Sequence, residues 1–476
     1  MLEGLEVSEI RLSELERTKR IDSDFYSKKN IDDLKKLVSV KAQSITNFVS
    51  VSDGNHMSIS EDYCDDGVPY YRGTDIYNFF IEQASNNLKI EKRIFDTPNM
   101  RRSHLKKGDI LMSIVGAIIG NLSLVKTNAD ATCSCKLAIM RPKKIQSEFF
   151  AVFLQSAYGQ NQIQKFKRGS AQTGLILEDF EQILIPDFSD HLITQVTDVV
   201  NSAFAVLEQS KTSYAQAEQA LLEAVGLADF KPSTQNTNIK TYAQSFGASG
   251  RLDAEYYQPK YDYLENVFNQ FERIRLQDLV NYPISSGITP KAGGDDYTDA
   301  ESGIPFVRAV DLQNGLVSID NFNYIKPEIH TGVLKRTQLK QNDFLFSIAG
   351  TVGRCAIFEH TFEANINQAV AILRFNDARV NPYYLMLFFN SYTGKEFVEK
   401  YSRQGLQTNL NLAEVGDLSV PIIGLATQTK ISQLVQQSFT LKAQSEHLLS
   451  VAKRAVEMAI EQDEAAAMHF IENSTN

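Results

Sequence analysis

A strongly basic segment between residues 88 and 107 carries the clearest chemical signal in this 476-residue sequence. It contains seven lysines and arginines against two acidic residues, whereas the whole chain has a net charge of −10. Clustered cations bind phosphate groups, and each contact releases a counterion and makes binding sensitive to salt. The segment predicts contacts with a nucleic-acid backbone, and a solvated charged surface is the alternative. The predicted contact residues are Lys89, Lys92, Arg93, Arg101 and Arg102.

Two polar loops, residues 164–174 and 400–409, each combine cations with an aromatic residue, glycine and a Gln-Thr pair. Arginine and glutamine side chains hydrogen-bond the edges of guanine and adenine in the major groove. Both loops are therefore predicted to contact DNA bases or phosphates, and a structural loop role is an equally good interpretation. The residues concerned are Lys167, Arg168, Gln172 and Thr173 in the first loop, and Arg403, Gln407 and Thr408 in the second.

Further DNA contacts are predicted at equivalent points of an internal repeat. Aromatic residues beside a strand are often part of the core, so a structural role stays open for them. These residues are Tyr70, Tyr71, Arg72 and Arg308. Three cations of the second half complete the predicted set: Lys335, Arg336 and Arg354.

The sequence offers no positive signal for catalysis. Residues 381–384 (NPYY) lack the second proline of the amino-methyltransferase motif, and no glycine-rich cofactor loop precedes them. Cys133 and Cys135 have no further Cys or His at zinc spacing. We therefore expect a non-catalytic chain that binds no cofactor or metal. Four cysteines in so long a chain, with no signal-peptide core and no long apolar run, favour the cytoplasm.

An internal repeat organises these residues. Five short motifs recur in one order at offsets between 231 and 236 residues, which predicts a tandem duplication of a unit of about 235 residues. Two of the five are the Gln-Thr pair and the hydrophobic-Pro pair that follows it. The other three are residues 20–26 (RIDSDFY) with 251–257 (RLDAEYY), residues 67–76 with 303–312, and residues 105–116 (LKKGDILMSIVG) with 339–350 (LKQNDFLFSIAG).

Each unit shows the same order of predicted elements. A short helix precedes a turn-rich β region, a buried strand, a second apolar strand, a helix and the Gln-Thr loop. In the first unit the predicted helices are 31–37 and 147–164 and the strands 109–115 and 136–140. In the second unit the helices are 259–271 and 382–401 and the strands 343–349 and 368–373.

Each unit ends in a long predicted helix, residues 190–227 and about 427–462. Small and apolar residues recur there at alternating steps of four and three, a period typical of two helices packed lengthwise. At ~1.5 Å per residue the first helix is on the order of 55 Å long. An ordinary amphipathic helix is the alternative, and the second copy favours antiparallel pairing. The seams are Val196, Val200, Ala203, Leu207, Ser210, Tyr214, Ala217, Leu221 and Ala224, and Ile431, Leu434, Ser438, Leu441, Ser445, Leu448, Ala452, Ala455 and Ala459.

These motifs resemble the specificity (S) subunit of type I restriction–modification systems over nearly the whole chain. The strand motif at 105–116 and 339–350, the Gln-Thr loops and the two long helices carry the resemblance. It implies an α+β fold, a tandem duplication of two α/β target-recognition domains separated by two long antiparallel coiled-coil helices. The expected recognition domains are 1–186 and 251–421, the spacer helices 187–230 and 422–470, and the linker 231–250.

The resemblance also implies a function. A specificity subunit recognises a bipartite duplex DNA site and docks two methyltransferase subunits, and through them motor-nuclease subunits. S-adenosylmethionine is then expected on the methyltransferase. The glycine turns at 116–120 and 350–353 differ in length, so we expect an asymmetric site. Two alternatives stay open: an S-like subunit of a related system with a fused methyltransferase-nuclease partner, and a scaffold whose domains bind protein instead of DNA.

Overall fold

The computed structural model describes residues 6–18, 20–83, 87–168, 173–235, 237–291, 294–319, 322–402 and 408–475. By their internal contacts the residues form two compact units. Unit 1 comprises residues 1–208 and 441–476, and unit 2 comprises residues 209–440. The predicted boundaries of five separate domains stay a prediction, because each long helix contributes residues to both units.

The first half of the chain, through the first long helix, contains six α-helices and nine β-strands among its described residues. In chain order these are α1 (Leu12–Thr18), α2 (Lys28–Ser39), β1 (Gln43–Ser44), β2 (Val49–Asp53), β3 (Tyr63–Tyr71), β4 (Lys89–Ile90), α3 (Lys92–Phe95), β5 (Ile110–Ser113), β6 (Leu122–Leu124), β7 (Thr132–Cys133), β8 (Leu137–Pro142), α4 (Ser147–Gln155), α5 (Ala157–Lys165), β9 (Leu184–Ile185) and α6 (Asp190–Ala224).

The remaining chain repeats this order with additional short strands. Its elements are α7 (Phe246–Ser249), α8 (Pro259–Phe268), β10 (Glu272–Arg275), α9 (Leu276–Leu279), β11 (Ser285–Ser286), β12 (Tyr297–Thr298), β13 (Ile304–Val307), β14 (Leu312–Gln313), β15 (Gly315–Val317), β16 (Asn323–Ile325), α10 (Pro327–Thr331), β17 (Asp343–Ser347), β18 (Cys355–Phe358), β19 (Asn365–Ile366), β20 (Val370–Leu373), α11 (Pro382–Asn390), α12 (Tyr392–Tyr401), α13 (Leu412–Asp417), β21 (Ser419–Ile422), α14 (Leu425–Glu461) and α15 (Glu464–Ser474).

The two units share one sheet topology. In unit 1 the strands of the main sheet follow the antiparallel order β2-β8-β5-β6, and unit 2 repeats it as β11-β20-β17-β18. The register also recurs, since Met112 pairs with Ala138 and Phe346 with Ala371. A parallel pair, β3 with β7 and β13 with β19, accompanies the main sheet in each unit. The predicted α+β tandem duplication is confirmed.

The long helix predicted after the second strand is two helices in each unit. Ser156 and Ser391 interrupt it with extended backbone, and each hydroxyl accepts a hydrogen bond from the N–H three residues later, at 3.2 and 3.1 Å. A side chain that caps a new helix competes with continuation of the old one. The predictions of single helices at 147–164 and 382–401 were therefore wrong at these two serines.

The two long helices are continuous. α6 has 35 residues and α14 has 37, which correspond to about 52 and 56 Å of helix. Within unit 1, Ser445 Oγ donates to Ala203 O at 2.8 Å, and Ser189 N–H donates to Glu464 Oε1 at 3.1 Å. The start of α6 thus lies beside the end of α14, which is an antiparallel arrangement. Within unit 2, Ser210 Oγ donates to the Ser438 carbonyl at 2.8 Å.

Small residues along these helices are buried in the predicted seam. Ala203, Ala217 and Ala452 are fully buried, and so are the apolar seam residues Val196 and Leu221. α14 ends at Glu461, in agreement with the predicted end at about residue 462. Asp463 follows it, and its carboxylate caps α15, accepting from Ala466 N–H at 2.8 Å.

Two glycines of unit 2 are required for different reasons, which predicts different costs for alanine. At Gly287 a Cβ would lie 1.8 Å from the Ile366 carbonyl oxygen, so the backbone must shift, at a typical cost of about 1–3 kcal/mol. At Gly350 no atom lies within 4 Å, and only its φ of +79° opposes a side chain, at about 1 kcal/mol. Denaturant midpoints of Gly287→Ala and Gly350→Ala should show the larger loss for Gly287→Ala, and the reverse order would contradict this account.

Candidate nucleic-acid interface

A buried ion pair fixes the repeated LKxxD turn in both units. Asp109 accepts from Lys106 N–H at 2.8 Å and from Arg141 Nε and Nη2 at 2.7 and 2.6 Å. Asp343 accepts in the same way from Lys340 N–H at 2.8 Å and from both Arg374 donors at 2.7 Å. The aspartates are 0% and 4% exposed. The hydrogen bonds with Asp343 raise the pKa of Arg374. Each aspartate therefore fixes the turn before its strand, and sequence reasoning missed the arginine partners.

Directly before each LKxxD turn lies a short 3-10 turn, residues Arg101–Ser103 and Lys335–Thr337. Its last residue anchors it to the parallel strand of the same unit. Ser103 Oγ accepts from Thr132 Oγ1 at 2.7 Å, and Thr337 Oγ1 donates to Asn365 Oδ1 at 2.6 Å. The buried anchor leaves the first two residues of each turn on the surface.

The exposed residues of these turns are cationic in both units. Arg101 and Lys335 are 234 residues apart in the sequence, as are Arg102 and Arg336, and Lys106 and Lys340. All six are exposed. Arg102 pairs with Asp53, whereas the other five form no salt bridge within 4 Å among the described residues. Each unit therefore presents a three-residue cation surface, which consists of Arg101, Arg102 and Lys106 in unit 1 and of Lys335, Arg336 and Lys340 in unit 2.

Lys89, Lys92 and Arg93 of the predicted basic segment already have partners. Lys92 lies 2.6 Å from Asp130 and 3.1 Å from Asp96, and Arg93 lies 2.5 Å from Glu91. The hydrogen bond with Glu91 raises the pKa of Arg93. Exposed pairs of this kind are weak and can exchange for phosphate. Lys89 is half-buried and donates to the Asp65 carbonyl at 3.0 Å.

The two predicted tyrosines do not lie on the surface. Tyr70 and Tyr71 are 5% and 4% exposed, and burial raises the pKa of each phenol to about 12. Both faces of β3 are covered at residues 68–71, so successive side chains that point to opposite faces are both buried there. The prediction of direct DNA contact is not supported for these rings.

The arginine that follows each of these strands is held by a local carboxylate. Arg72 Nε lies 3.5 Å from Asp75 Oδ2, and its side chain is 45% exposed. Arg308 donates from Nε and Nη2 to Asp311 at 3.0 and 2.9 Å, and the side chain is 29% exposed. These arginines therefore hold the turn, and their contact with DNA stays a prediction.

The Gln-Thr loops lie partly outside the described residues. Three of their predicted contact residues, Gln172, Arg403 and Gln407, fall in the part that is not described. Arg168 pairs with the buried Asp179, and Thr173 accepts from Gly116 N–H at 2.9 Å through its carbonyl. Gly174 and Asn409 form equivalent bridges to Val115 and Ala349, so both loops lie at the end of the LKxxD strand. The remaining predicted residues are half-buried: Lys167, Arg354 and Thr408.

Within the described ranges, no group of three or more His, Cys, Asp or Glu side chains is placed to hold a metal ion. No helix there is long and apolar enough to cross a membrane.

Sequence reasoning missed Lys340 as a surface cation. The repeat itself could have identified it, because the residue matches Lys106 at the offset of the neighbouring pairs.

Comparisons with known proteins agree with the repeat-based resemblance. The model of a family described as the type I restriction modification DNA specificity domain matches residues 269–449. Over 166 residues the chain is 28% identical to the specificity subunit of the type I restriction enzyme EcoBI of Escherichia coli. That match covers 34% of this chain and 34% of the relative, so it spans about a third of the relative's length.

Two solved structures are similar over most of the chain. One is the S subunit of a type I restriction–modification system from M. genitalium, at 14% identity, covering 88% of this chain and 94% of that one with a TM-score of 0.40. The other is the HsdS subunit from Thermoanaerobacter tengcongensis, at 15% identity, covering 87% and 97% with a TM-score of 0.26.

Proposed function

We propose, from the premise that this chain belongs to the family of type I restriction–modification specificity subunits, that it is the non-catalytic DNA-recognition subunit of such a system. It recognises a bipartite, asymmetric duplex site, one half with each unit. The observation that carries the proposal is the cation surface at the same place in both units of a chain with net charge −10. Five of its six cations form no salt bridge among the described residues and are free to neutralise phosphates.

The proposed partners supply the chemistry. Two methyltransferase subunits dock on this chain, carry S-adenosylmethionine and modify the DNA, and motor-nuclease subunits join through them in the cytoplasm. The duplication supports this stoichiometry, because two equivalent units offer two equivalent docking surfaces.

Salt-dependent binding tests the proposal. The purified chain, alone and with its methyltransferase, should bind random duplexes more weakly as salt rises. For six to ten phosphate contacts the loss is about 10³- to 10⁵-fold between 50 and 200 mM salt. Absent or salt-independent binding would contradict DNA recognition and favour the protein scaffold. Methyl transfer by the chain without its partner would contradict the non-catalytic role.

The length of the paired helices is proposed to set the spacing of the two half-sites. Deleting residues 204–210 and 438–444 together removes seven residues from each helix and preserves the period of the seam. We expect the gap in the modified DNA sequence to shorten by about 10 Å, or about three base pairs, at ~1.5 Å per helical residue. Sequencing of methylated bases in the host measures the gap. Deletion from one helix alone is the control and should impair assembly, while an unchanged gap after the paired deletion would contradict the proposal.

A further inference from the structure

An open cavity of about 460 Å³ adjoins the cation surface of unit 1. Its exposed groups include an imidazole, a carboxamide, a thioether and a guanidinium. The lining residues are Asn55, His56, Met57, Pro98, Asn99 and Arg102. Since imidazole, carboxamide and guanidinium groups all form directional hydrogen bonds, the cavity wall can distinguish one base edge from another.

Asp53, the last residue of β2, holds two of these groups. Its carboxylate is 2.5 Å from His56 Nε2 through one oxygen and accepts from Arg102 through the other. The Asp53 side chain is 15% exposed, whereas those of His56 and Arg102 are 59% and 55% exposed. The carboxylate therefore fixes the direction of both groups while leaving them open to a ligand.

The two asparagines of the cavity have different roles. Asn55 is buried and folds back on the chain, donating to the Met57 carbonyl at 3.1 Å and accepting from Met57 N–H at 2.9 Å. Asn99 is exposed, and its carboxamide has no hydrogen-bond partner among the described residues. Asn55 thus shapes the loop, and Asn99 is available for recognition.

Unit 2 builds the same loop on the same backbone. A Cβ on Gly54 would meet the carbonyl oxygens of Cys133 and Ser134, and one on Gly287 would meet the equivalent carbonyl of Ile366. The loop after Gly287 is therefore the counterpart of the loop after Gly54.

The side chains on this common backbone differ between the units. The positions of Asp53, Asn55, His56 and Asn99 are taken in unit 2 by Ser286, Ile288, Thr289 and Val333, while Arg102 is matched by Arg336. Ile288 and Val333 are 55% and 62% exposed. Unit 1 thus presents a hydrogen-bonding surface beside its arginine, and unit 2 presents an aliphatic one.

We propose that His56, Asn99 and Arg102 form the base-reading surface of unit 1, and that Ile288, Val333 and Arg336 form the base-reading surface of unit 2. The inference rests on the proposed DNA recognition and names the residues that choose the bases. In unit 1 the carboxamide and the guanidinium hydrogen-bond the major-groove edges of adenine and guanine. In unit 2 the aliphatic side chains Ile288 and Val333 contact the methyl group of thymine, and Arg336 supplies a hydrogen-bonding cation.

Exchange of one residue between the units tests the proposal. Asn99→Val and Val333→Asn are expressed separately in the full-length chain with its methyltransferase, and methylated sites are sequenced. Asn99→Val should relax one base position in one half-site, with preference for the original base falling about ten-fold or more, as for the loss of one bidentate contact. Val333→Asn should change one position in the other half-site. The unaltered half-site reports that each variant is folded and assembled.

Matched substitutions serve as controls. Asn47→Val makes the same change in unit 1 at an exposed residue. Asn47 precedes β2, whereas His56 follows it, so the control lies at the other end of that strand. Leu425→Asn introduces the same amide in unit 2 at an aliphatic residue that is 54% exposed. Both controls should leave the modified sequence unchanged.

The outcomes separate this inference from the proposed function. Full modification of an unchanged sequence by Asn99→Val and Val333→Asn would overturn the base-reading surfaces while leaving DNA recognition intact. Loss of modification at every site with normal controls would also overturn them, because reading of one base cannot account for total loss. If even the unmutated chain directs no sequence-specific methylation, the proposed function itself fails.

Discussion

Replacing Asp343 by alanine is expected to destabilise unit 2 by about 3 kcal/mol or more. The substitution removes the acceptor of both Arg374 donors and of Lys340 N–H. Arg374 is then left largely buried without its countercharge, and breaking such a pair typically costs about 3–5 kcal/mol. For a unit of this size that corresponds to a fall in Tm of roughly 6–12 °C. Calorimetry of the full-length chain should resolve the shift.

The surface pair Arg275–Asp278 supplies a matched control in the same unit. Its two hydrogen bonds measure 2.8 and 3.1 Å, but both side chains are about half exposed. Exposed pairs contribute little to stability, so Asp278→Ala should leave the transition nearly unchanged. Asp109→Ala should act on unit 1 as Asp343→Ala acts on unit 2. Equal small effects of Asp343→Ala and Asp278→Ala would show that the buried pair does not hold the turn.

The buried aspartate–arginine pairs of the LKxxD turns show which part of the fold the sequence predicts and which part it does not. The spacing of the LKxxD motif predicts a turn, because an aspartate that accepts the N–H three residues earlier needs only local geometry. The arginine partners lie 32 and 31 residues further along the chain. Only the pairing of β5 with β8, and of β17 with β20, brings them to the aspartates. Nothing in the local pattern specifies that pairing.

The long helices were predictable for the opposite reason. Their seam is a periodic property of one segment, so the start of α6 and the burial of Ala203 and Ala217 follow from spacing. The interruption at Ser156 was not predicted, because a serine caps a helix only where the backbone turns. The recurrence of Ser156-x-x-Gly as Ser391-x-x-Gly was the available signal.

The candidate site was predicted in outline only. Net charge located the basic segment, but it could not separate cations that face solvent from those that face a carboxylate. Lys92 has Asp130 as a partner 38 residues away, whereas Arg101 has none among the described residues. Alternation along β3 likewise could not show that both faces of the strand are covered at its C-terminal end, which places Tyr70 and Tyr71 in the core.

Neutralising the cation surface of unit 2 is expected to weaken DNA binding about 100-fold near 0.15 M salt. The variant Lys335→Gln, Arg336→Gln, Lys340→Gln removes the base contact of Arg336 and the phosphate contacts of the two lysines, and each phosphate contact contributes about 0.9 to the slope of log K against log salt concentration. The slope should therefore fall by about 1.8 for the chain assembled with its methyltransferase. Fluorescence anisotropy with a duplex that carries the modified site, measured across a salt series, gives both quantities.

A triple variant of α2 controls for net charge. Lys28→Gln, Lys29→Gln, Lys35→Gln removes the same three charges from exposed positions of a helix that carries no predicted DNA contact. Long-range attraction alone is screened beyond about 8 Å at physiological salt, so this variant should keep the slope of the unmutated chain. If both triple variants lower the slope equally, the effect belongs to overall charge, and the cations of the 3-10 turn do not touch phosphate. A fall confined to the unit 2 variant places the DNA backbone at that turn.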